Sequence, residues 1–407
     1  MKAQKKQPEL RFKGFTDDWE QSKLGNLVEI KDSARISNIY WQEDGIPYLR
    51  SSDLVDYTAS GALFISKQTY NTFSSKTGSP KKGDVLFTSG GTIGIPTLKK
   101  DDSLIYVQGG SILYAKTSNS VKLDGRFLVN YFYNSRIKIY IKNSSVGGTI
   151  KHFTLMPAKK MPIIFPKKKE QQKIGEFFRK LDRTITLQQR KLELFKKLKQ
   201  GYLQQMFPSK DQYIPRLRFK EFNGDWEQVK LGNIFEKKNE LNRNQFTENR
   251  TISIATMTFK PSGNGADENS IPKYKVLRLG DIAFEGHKNK DFAFGRFLMN
   301  DIGDGIISPR FTFLHAKEKL DIDFWKYYIH HESIMRTILV KSTKQGTMMN
   351  ELVVTDFLKQ GIKVPEKSEQ KIIGIFLTRL DHTITLQQNE IEQLQQLKQA
   401  YLQKLFP

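Results

Sequence analysis

The sequence predicts an α+β protein made of two domains of one design, each closed by a long helix. Three observations predict it. The ends of the two halves are written twice, the repeated C-terminal stretches carry an apolar heptad, and the interiors are short apolar runs broken by glycine, proline and serine. The phrase PELRFKGFTDDWEQSKLGNL begins at Pro8 and returns from Pro215 as PRLRFKEFNGDWEQVKLGNI, with 14 of 20 letters shared. EQQKIGEFFRKLDRTITLQQ begins at Glu170 and returns 199 positions later, from Glu369, as EQKIIGIFLTRLDHTITLQQ, sharing 13 of 20. The halves close alike, on GYLQQMFP (201–208) and AYLQKLFP (400–407). A period of about 200 residues is far too long for a solenoid and signifies two domains. The predicted division is 1–165 and 209–364 for the domains, with 166–208 and 365–407 for the helices.

The repeated C-terminal stretch is predicted to be helical. Ile174, Phe178, Leu181, Ile185, Gln188, Leu192, Phe195, Lys199, Tyr202 and Met206 follow alternating steps of four and three, the seam of a coiled coil. The second copy runs through Ile373, Leu377, Leu380, Ile384, Gln387, Ile391, Leu394, Lys398, Tyr401 and Leu405, keeping the same polar interruptions. Pro166 and Pro365 stand before the helices, and Pro208 after the first. About 34 residues at 1.5 Å rise give a rod of roughly 50 Å. The expected partner of each rod is the other copy, with the matched glutamines fixing register; packing of each helix on its own domain is the alternative.

The interiors read as α+β. Apolar runs at 83–91, 103–116 and 305–317 suggest strands, and 124–143 and 321–341 each suggest one helix. Few anchors survive between the halves here. KKGDVLFTSGGTIG (81–94) answers RLGDIAFEGHKN (278–289) through Gly-Asp, and VGGTIKHF (146–153) answers KQGTMMNE (344–351) through Gly-Thr. Each half therefore has a repeated frame and a private interior.

Sixty-six Lys and Arg against 43 Asp and Glu give a net charge of +23 and a pI near 9.7, a field that attracts polyanions, nucleic acid first. A lysine-rich composition without a nucleic-acid role is the alternative. The absence of cysteine excludes disulfides and thiolate zinc sites. No run of about 18 apolar residues suggests a membrane helix. The start MKAQKKQPELRF has no apolar core of a signal peptide, so the cytoplasm is expected. TSGGTIGIP (88–96) lacks the order of a phosphate-binding loop, and no Pro-Pro dipeptide exists for an aminomethyltransferase loop. The neighbours His330 and His331, in the predicted helix, do not face one metal. Asp53, Asp84 and Asp281 show no paired nuclease spacing. The chain reads as a binder with neither a metal nor a cofactor of its own.

This architecture resembles the specificity subunit of type I restriction-modification systems over essentially the whole chain. The carriers are DWEQSKLGN and DWEQVKLGN, GIPYLRSSDL (45–54), KKGDVLFTSGGTIG, and the long helix with its echo. Each motif alone is weak; duplicated and in this order they are specific. The resemblance implies two target recognition domains, each reading one half of a split, asymmetric sequence in double-stranded DNA, separated by an antiparallel two-helix coiled coil. It also implies two modification subunits carrying S-adenosylmethionine and adenine N6-methylation. Restriction subunits that translocate and cleave DNA with ATP and Mg2+ are further partners, and the chain alone is not an enzyme. The second half departs from the pattern in lacking a clear IPYLR; TISIATMTF (251–259) stands nearby. An orphan subunit serving only domain exchange, a single-chain methyltransferase and a coiled-coil scaffold without DNA are the competing readings.

Base readout needs polar and basic side chains on private loops near strand ends. In the first half these are Arg50, Ser51 and Ser52, then Ser89, Gly90, Gly91 and Thr92, then Lys151 and His152, with Arg35 and Tyr40 in reserve. In the second they are Thr256, Lys260, His287, Lys288, Asn289, Lys290, Ser308, Arg310, Lys344 and Gln345. Bland alternatives stand beside them: 285–292 as a solvated turn, Arg50 as a partner of Asp53, and 308–311 as packing at a strand end.

Overall fold

The computed structural model describes residues 7–55, 58–59, 63–148, 151–209, 212–265, 267–346 and 349–407. Thr149 and Thr347, of the two Gly-Thr anchors, lie outside the described residues. The chain divides into two compact units: residues up to Gln189 together with Asn389–Pro407, and Arg190–Gln388.

In the first unit one sheet has the order Ile30–Asp32, Ile112–Ala115, Val85–Thr88, Pro96–Leu98, all antiparallel. A second has the order Tyr106–Val107, Ile46–Leu49, Phe64–Ile65, Trp41–Gln42, its first pair parallel. The second unit repeats the first sheet, whereas its second sheet also has four strands but holds its parallel pair in the middle instead of at an edge. Phe235–Glu236, Thr312–Ala316, Ile282–Glu285 and Arg296–Met299 form the first sheet, and Thr258–Lys260, Thr251–Ser253, Gly305–Ile307 and Lys275–Leu277 the second. Thr251 pairs in parallel with Ile306, as Tyr48 does with Tyr106, so Thr251–Ser253 is the missing counterpart of Ile46–Leu49.

The repeated opening phrase is scaffold. Glu20–Lys23 pairs with Pro162–Phe165, and Glu227–Lys230 with Gly361–Val364. Trp19 and Trp226 lie in the two cores. Arg11 grips the buried Glu170 carboxylate through Nε and Nη2, both at 2.8 Å; Arg218 grips Glu369 at 2.7 and 2.8 Å. The Gly-Asp anchors are turns. Gly83 and Gly280 have φ of +91° and +89°, and Asp84 and Asp281 accept the backbone N–H of Lys81 and Arg278.

The long helices span Lys168–Met206 and Lys367–Lys404, 39 and 38 residues, longer than the predicted 34. They run antiparallel within each unit. In the first, Phe177 near the start of one helix meets Tyr401 near the end of the other at 4.9 Å, and Asp182 pairs with Lys398 at 2.6 Å. In the second, Tyr202 meets Phe376 at 4.9 Å, and Lys199 pairs with Asp381 at 2.6 Å. Of the seam, Ile174, Phe178, Ile185, Leu192, Met206, Ile373, Leu377, Gln387, Ile391, Lys398 and Leu405 are buried. Leu181, Gln188, Leu380 and Ile384 are half-buried. Gln188 donates to Glu390 at 2.8 Å.

Two predicted single helices are broken. Gly125–Tyr131 and Ser135–Ser144 replace 124–143, because the Asn134 carboxamide caps a new start at Arg136 N. Ile322–Tyr328 and Glu332–Ser342 replace 321–341, with His331 at the new N-cap. His330 and His331 therefore lie in a turn and not in a helix.

Candidate nucleic-acid interface

Each unit gathers several loops at the ends of its sheets. In the first unit Ser89 N donates to Ser111 O at 2.7 Å, and Phe153 N donates to Ser89 O at 2.8 Å. A side chain at Gly90 would meet the His152 ring at 3.0 Å, and one at Gly91 would meet Ser51 Oγ at 3.4 Å. His152 exchanges backbone hydrogen bonds with Val146 at 2.7 and 2.9 Å, closing the 146–152 loop. Gly109 rests on the Ser33 carbonyl, so close that only glycine fits, and Gly110 N donates to Asp32 Oδ1 at 3.0 Å. The loops carrying Arg35, Ser51, Ser89–Thr92 and His152 thus come together around 108–111. Arg35, Ser52, Gly91, Thr92 and Lys151 are exposed; Ser89 and Gly90 are buried and shape the loop by backbone alone. Arg50 reaches the Asp53 carboxylate through its backbone N–H at 2.8 Å and its Nε at 3.5 Å. Tyr40 stands edge-on to Phe73.

In the second unit Thr256 tops the hairpin between Thr251–Ser253 and Thr258–Lys260, its hydroxyl 2.7 Å from that of Thr258. His287, Lys288, Asn289 and Lys290 are exposed on the next loop, where Asn289 Oδ1 accepts the N–H of Asp291 and Phe292, both at 2.9 Å. Gly286 packs on the Asn350 carbonyl, which brings in the hairpin of Thr343–Lys344 with Glu351–Leu352. Lys344 and Gln345 are exposed there, as is Lys260, opposite Thr251 at the base of the first hairpin. Ser308 O accepts Phe311 N at 3.1 Å in a turn that exposes Arg310, whose guanidinium lies over the Phe311 ring. Lys275 Nζ holds the same turn through Phe311 O at 2.8 Å; burial, then nearby Lys237, lowers the pKa of this ammonium.

The 308–311 turn links a strand of one sheet to a strand of the other, and 108–111 does the same in the first unit. The former was selected from the sequence; the equivalent turn of the first unit carries Gln108 and Ser111, the Ser111 hydroxyl donating to Gln108 Oε1 at 3.3 Å. The shared strand–turn–strand pattern was the available signal. The remaining polar candidates are structural. Asp84 accepts Ser118 N at 3.0 Å, and Asp281 meets His315 Nδ1 at 2.7 Å while burial raises its pKa. His330 Nδ1 contacts Phe297 O at 3.0 Å and His331 Nε2 contacts Leu203 O at 2.9 Å. Among the described residues no cluster of three or more His, Cys, Asp or Glu is placed to hold a metal ion, and no helix is long and apolar enough to cross a membrane.

The same frame carrying different loops in each unit is matched by the family model described as the type I restriction modification DNA specificity domain, which fits residues 16–197 and again 223–396. The chain belongs to this family. As a type I specificity protein it is 23% identical to the type I restriction enzyme MjaVIII specificity subunit of Methanocaldococcus jannaschii, over 96% of this chain and 92% of that one. Its fold matches the type I restriction-modification S subunit from M. genitalium with a TM-score of 0.58 at 16% identity, covering 98% of this chain and 99% of that. The HsdS subunit from Thermoanaerobacter tengcongensis matches with a TM-score of 0.50 at 16% identity, covering 95% and 96%. The α+β fold with two specificity domains and two long helices is therefore that of a specificity subunit.

Proposed function

We propose that this specificity subunit reads a bipartite, asymmetric sequence in double-stranded DNA, one half-site per unit, and docks the subunits that act on it. The observation that carries this reading is the double family match: one frame occurs twice with unlike exposed loops, as two unlike half-sites require. The net charge of +23 supplies the sequence-independent attraction to phosphates. Recognition domains at 1–165 and 209–364 and spacer helices at 166–208 and 365–407 are the functional division. Two modification subunits bind the duplicated frame and carry S-adenosylmethionine and adenine methylation. Restriction subunits with ATP and Mg2+ complete the nuclease; this chain contributes no catalytic group and acts in the cytoplasm.

Mapping methylated adenines in a genome carrying this gene and its modification partner tests the reading. A single split motif with a constant unread spacer is expected; a continuous palindrome, or no motif, overturns it. At one position, Arg310→Ala is expected to weaken binding by about 1–3 kcal/mol at one half-site only, if the guanidinium is bidentate to guanine. Competition assays with half-site-substituted duplexes measure it, and a uniform loss on all sequences would make Arg310 a phosphate contact.

A further inference from the structure

We propose that Arg296 is a positioning residue for readout by the second unit. Its guanidinium clamps the 253–258 hairpin to the 287–290 loop and so sets the half-site that this unit selects. The inference rests on the DNA-reading function proposed above.

Arg296 opens the strand Arg296–Met299 directly opposite Glu285, the last residue of Ile282–Glu285. Its Nε lies 2.6 Å from Glu285 Oε2. Its Nη2 donates to Ala255 O, at the tip of the hairpin, at 3.0 Å. The guanidinium also lies 5.3 Å from the centre of the Phe292 ring, where the 287–290 loop returns. One side chain therefore ties the tip of the 253–258 hairpin to the strand pair Ile282–Glu285 and Arg296–Met299 and to Phe292 on the loop that joins those strands. The pair is largely shielded, with side-chain exposures of 21% and 12%, so water competes poorly for these contacts. Gly295, at φ +85°, passes so near Glu285 O that a Cβ would stand 2.6 Å from it, and this close approach delivers Arg296 to the carboxylate.

The frame does not need this clamp. The equivalent strand pair in the first unit ends in Thr88 and Ile95, where the Thr88 hydroxyl accepts Ile95 N at 2.9 Å and donates to Thr92 O. That loop is closed by the Thr88 hydroxyl and joins its neighbours through backbone instead, Phe153 N donating to Ser89 O at 2.8 Å. Scaffold pairs, by contrast, occur in both units, as Arg11–Glu170 and Arg218–Glu369 do. Among the described residues this side-chain clamp occurs in the second unit, where it joins a hairpin and a loop that carry exposed polar residues, so it belongs to selectivity. Readout by two loops needs their spacing held to about 0.5 Å. Arginine's planar fork reaches two acceptors in fixed directions; lysine keeps the charge and loses that geometry.

The test uses the complex of this chain with its modification subunits, and duplexes carrying the methylated site mapped in vivo or substitutions in one half-site. R296K is expected to reduce discrimination at the second half-site by about tenfold, the worth of one base pair, leaving first half-site discrimination and random-duplex binding within about twofold of wild type. Glu285→Gln is expected to act in the same direction and carries the test should R296K fail to fold. R218K, a change in a scaffold pair of the same unit, should leave the ratio unaltered. Wild-type discrimination at the second half-site in both variants, or an equal loss at both half-sites, overturns the clamp. A wild-type complex with no half-site preference would instead overturn the DNA-reading function itself.

Discussion

His330 and His331 illustrate how far single residues can be read. Their adjacency argued against a shared metal, but only the structure supplies their partners: the Phe297 carbonyl for one, the Leu203 carbonyl and the Ser333 hydroxyl for the other. Burial lowers both pKa values below the usual imidazole range. A depressed folded-state pKa means that the unfolded chain takes up protons first on acidification. The stability contribution is thus present above the unfolded value of about 6.5 and is lost as pH falls through the folded value. Thermal melts are expected to show a lower midpoint at pH 5.5 than at pH 7.5, with a smaller drop in H331N, which cannot take up that proton. Arg50 shows the opposite limit. Its basic character and Asp53 as its alternative partner were legible, whereas the turn that brings the Asp53 carboxylate to both the Arg50 backbone N–H and its Nε is set by the structure.

At the scale of elements the long helices were the most legible part, because a heptad is a local pattern that repeats along one chain. Their reciprocal ion pairs, Asp182–Lys398 and Lys199–Asp381, are related by the same 199-residue shift as the repeated phrases, and the paired residues lie far apart in sequence. Reversing one charge, in D182K, is expected to destabilise the first unit by about 1 kcal/mol, and D182K/K398D to recover most of it. A double-mutant cycle in urea measures the coupling, and an additive double variant would show that the pair contributes nothing. The breaks at Asn134 and His331 were illegible for the opposite reason: the apolar period continues across them, while the Asn134 side chain caps a new start and His331 stands at another N-cap without a side-chain cap bond.

At the scale of the whole molecule, each compact unit is finished by residues from the other half of the sequence. Phe406, separated in the chain from the first unit's sheets by both long helices and the second domain, packs against Phe127, Tyr131 and Phe178 there, at 5.4, 5.8 and 6.1 Å between ring centres. Phe207, its counterpart, packs against Trp226, Phe324 and Tyr328 in the second unit. Phe406→Ala is therefore expected to cost the first unit about 3–5 kcal/mol while sparing the second, and Phe207→Ala the reverse. Limited proteolysis under mild denaturant, with fragments assigned to each unit, distinguishes the two. The sequence by itself determined the duplication, the seam of the rods, the excess of positive charge and the frame that marks the family, because repeated letters and periodicity are properties of neighbouring residues. Only the tertiary structure decided which unit each helix end completes, which strand of the second half stands for Ile46–Leu49, and that Arg296 bonds both Glu285 and the tip of the 253–258 hairpin. Those outcomes rest on contacts such as Asn134 to Pro407, 273 positions apart, and a contact across that separation leaves no local pattern in either partner's surroundings.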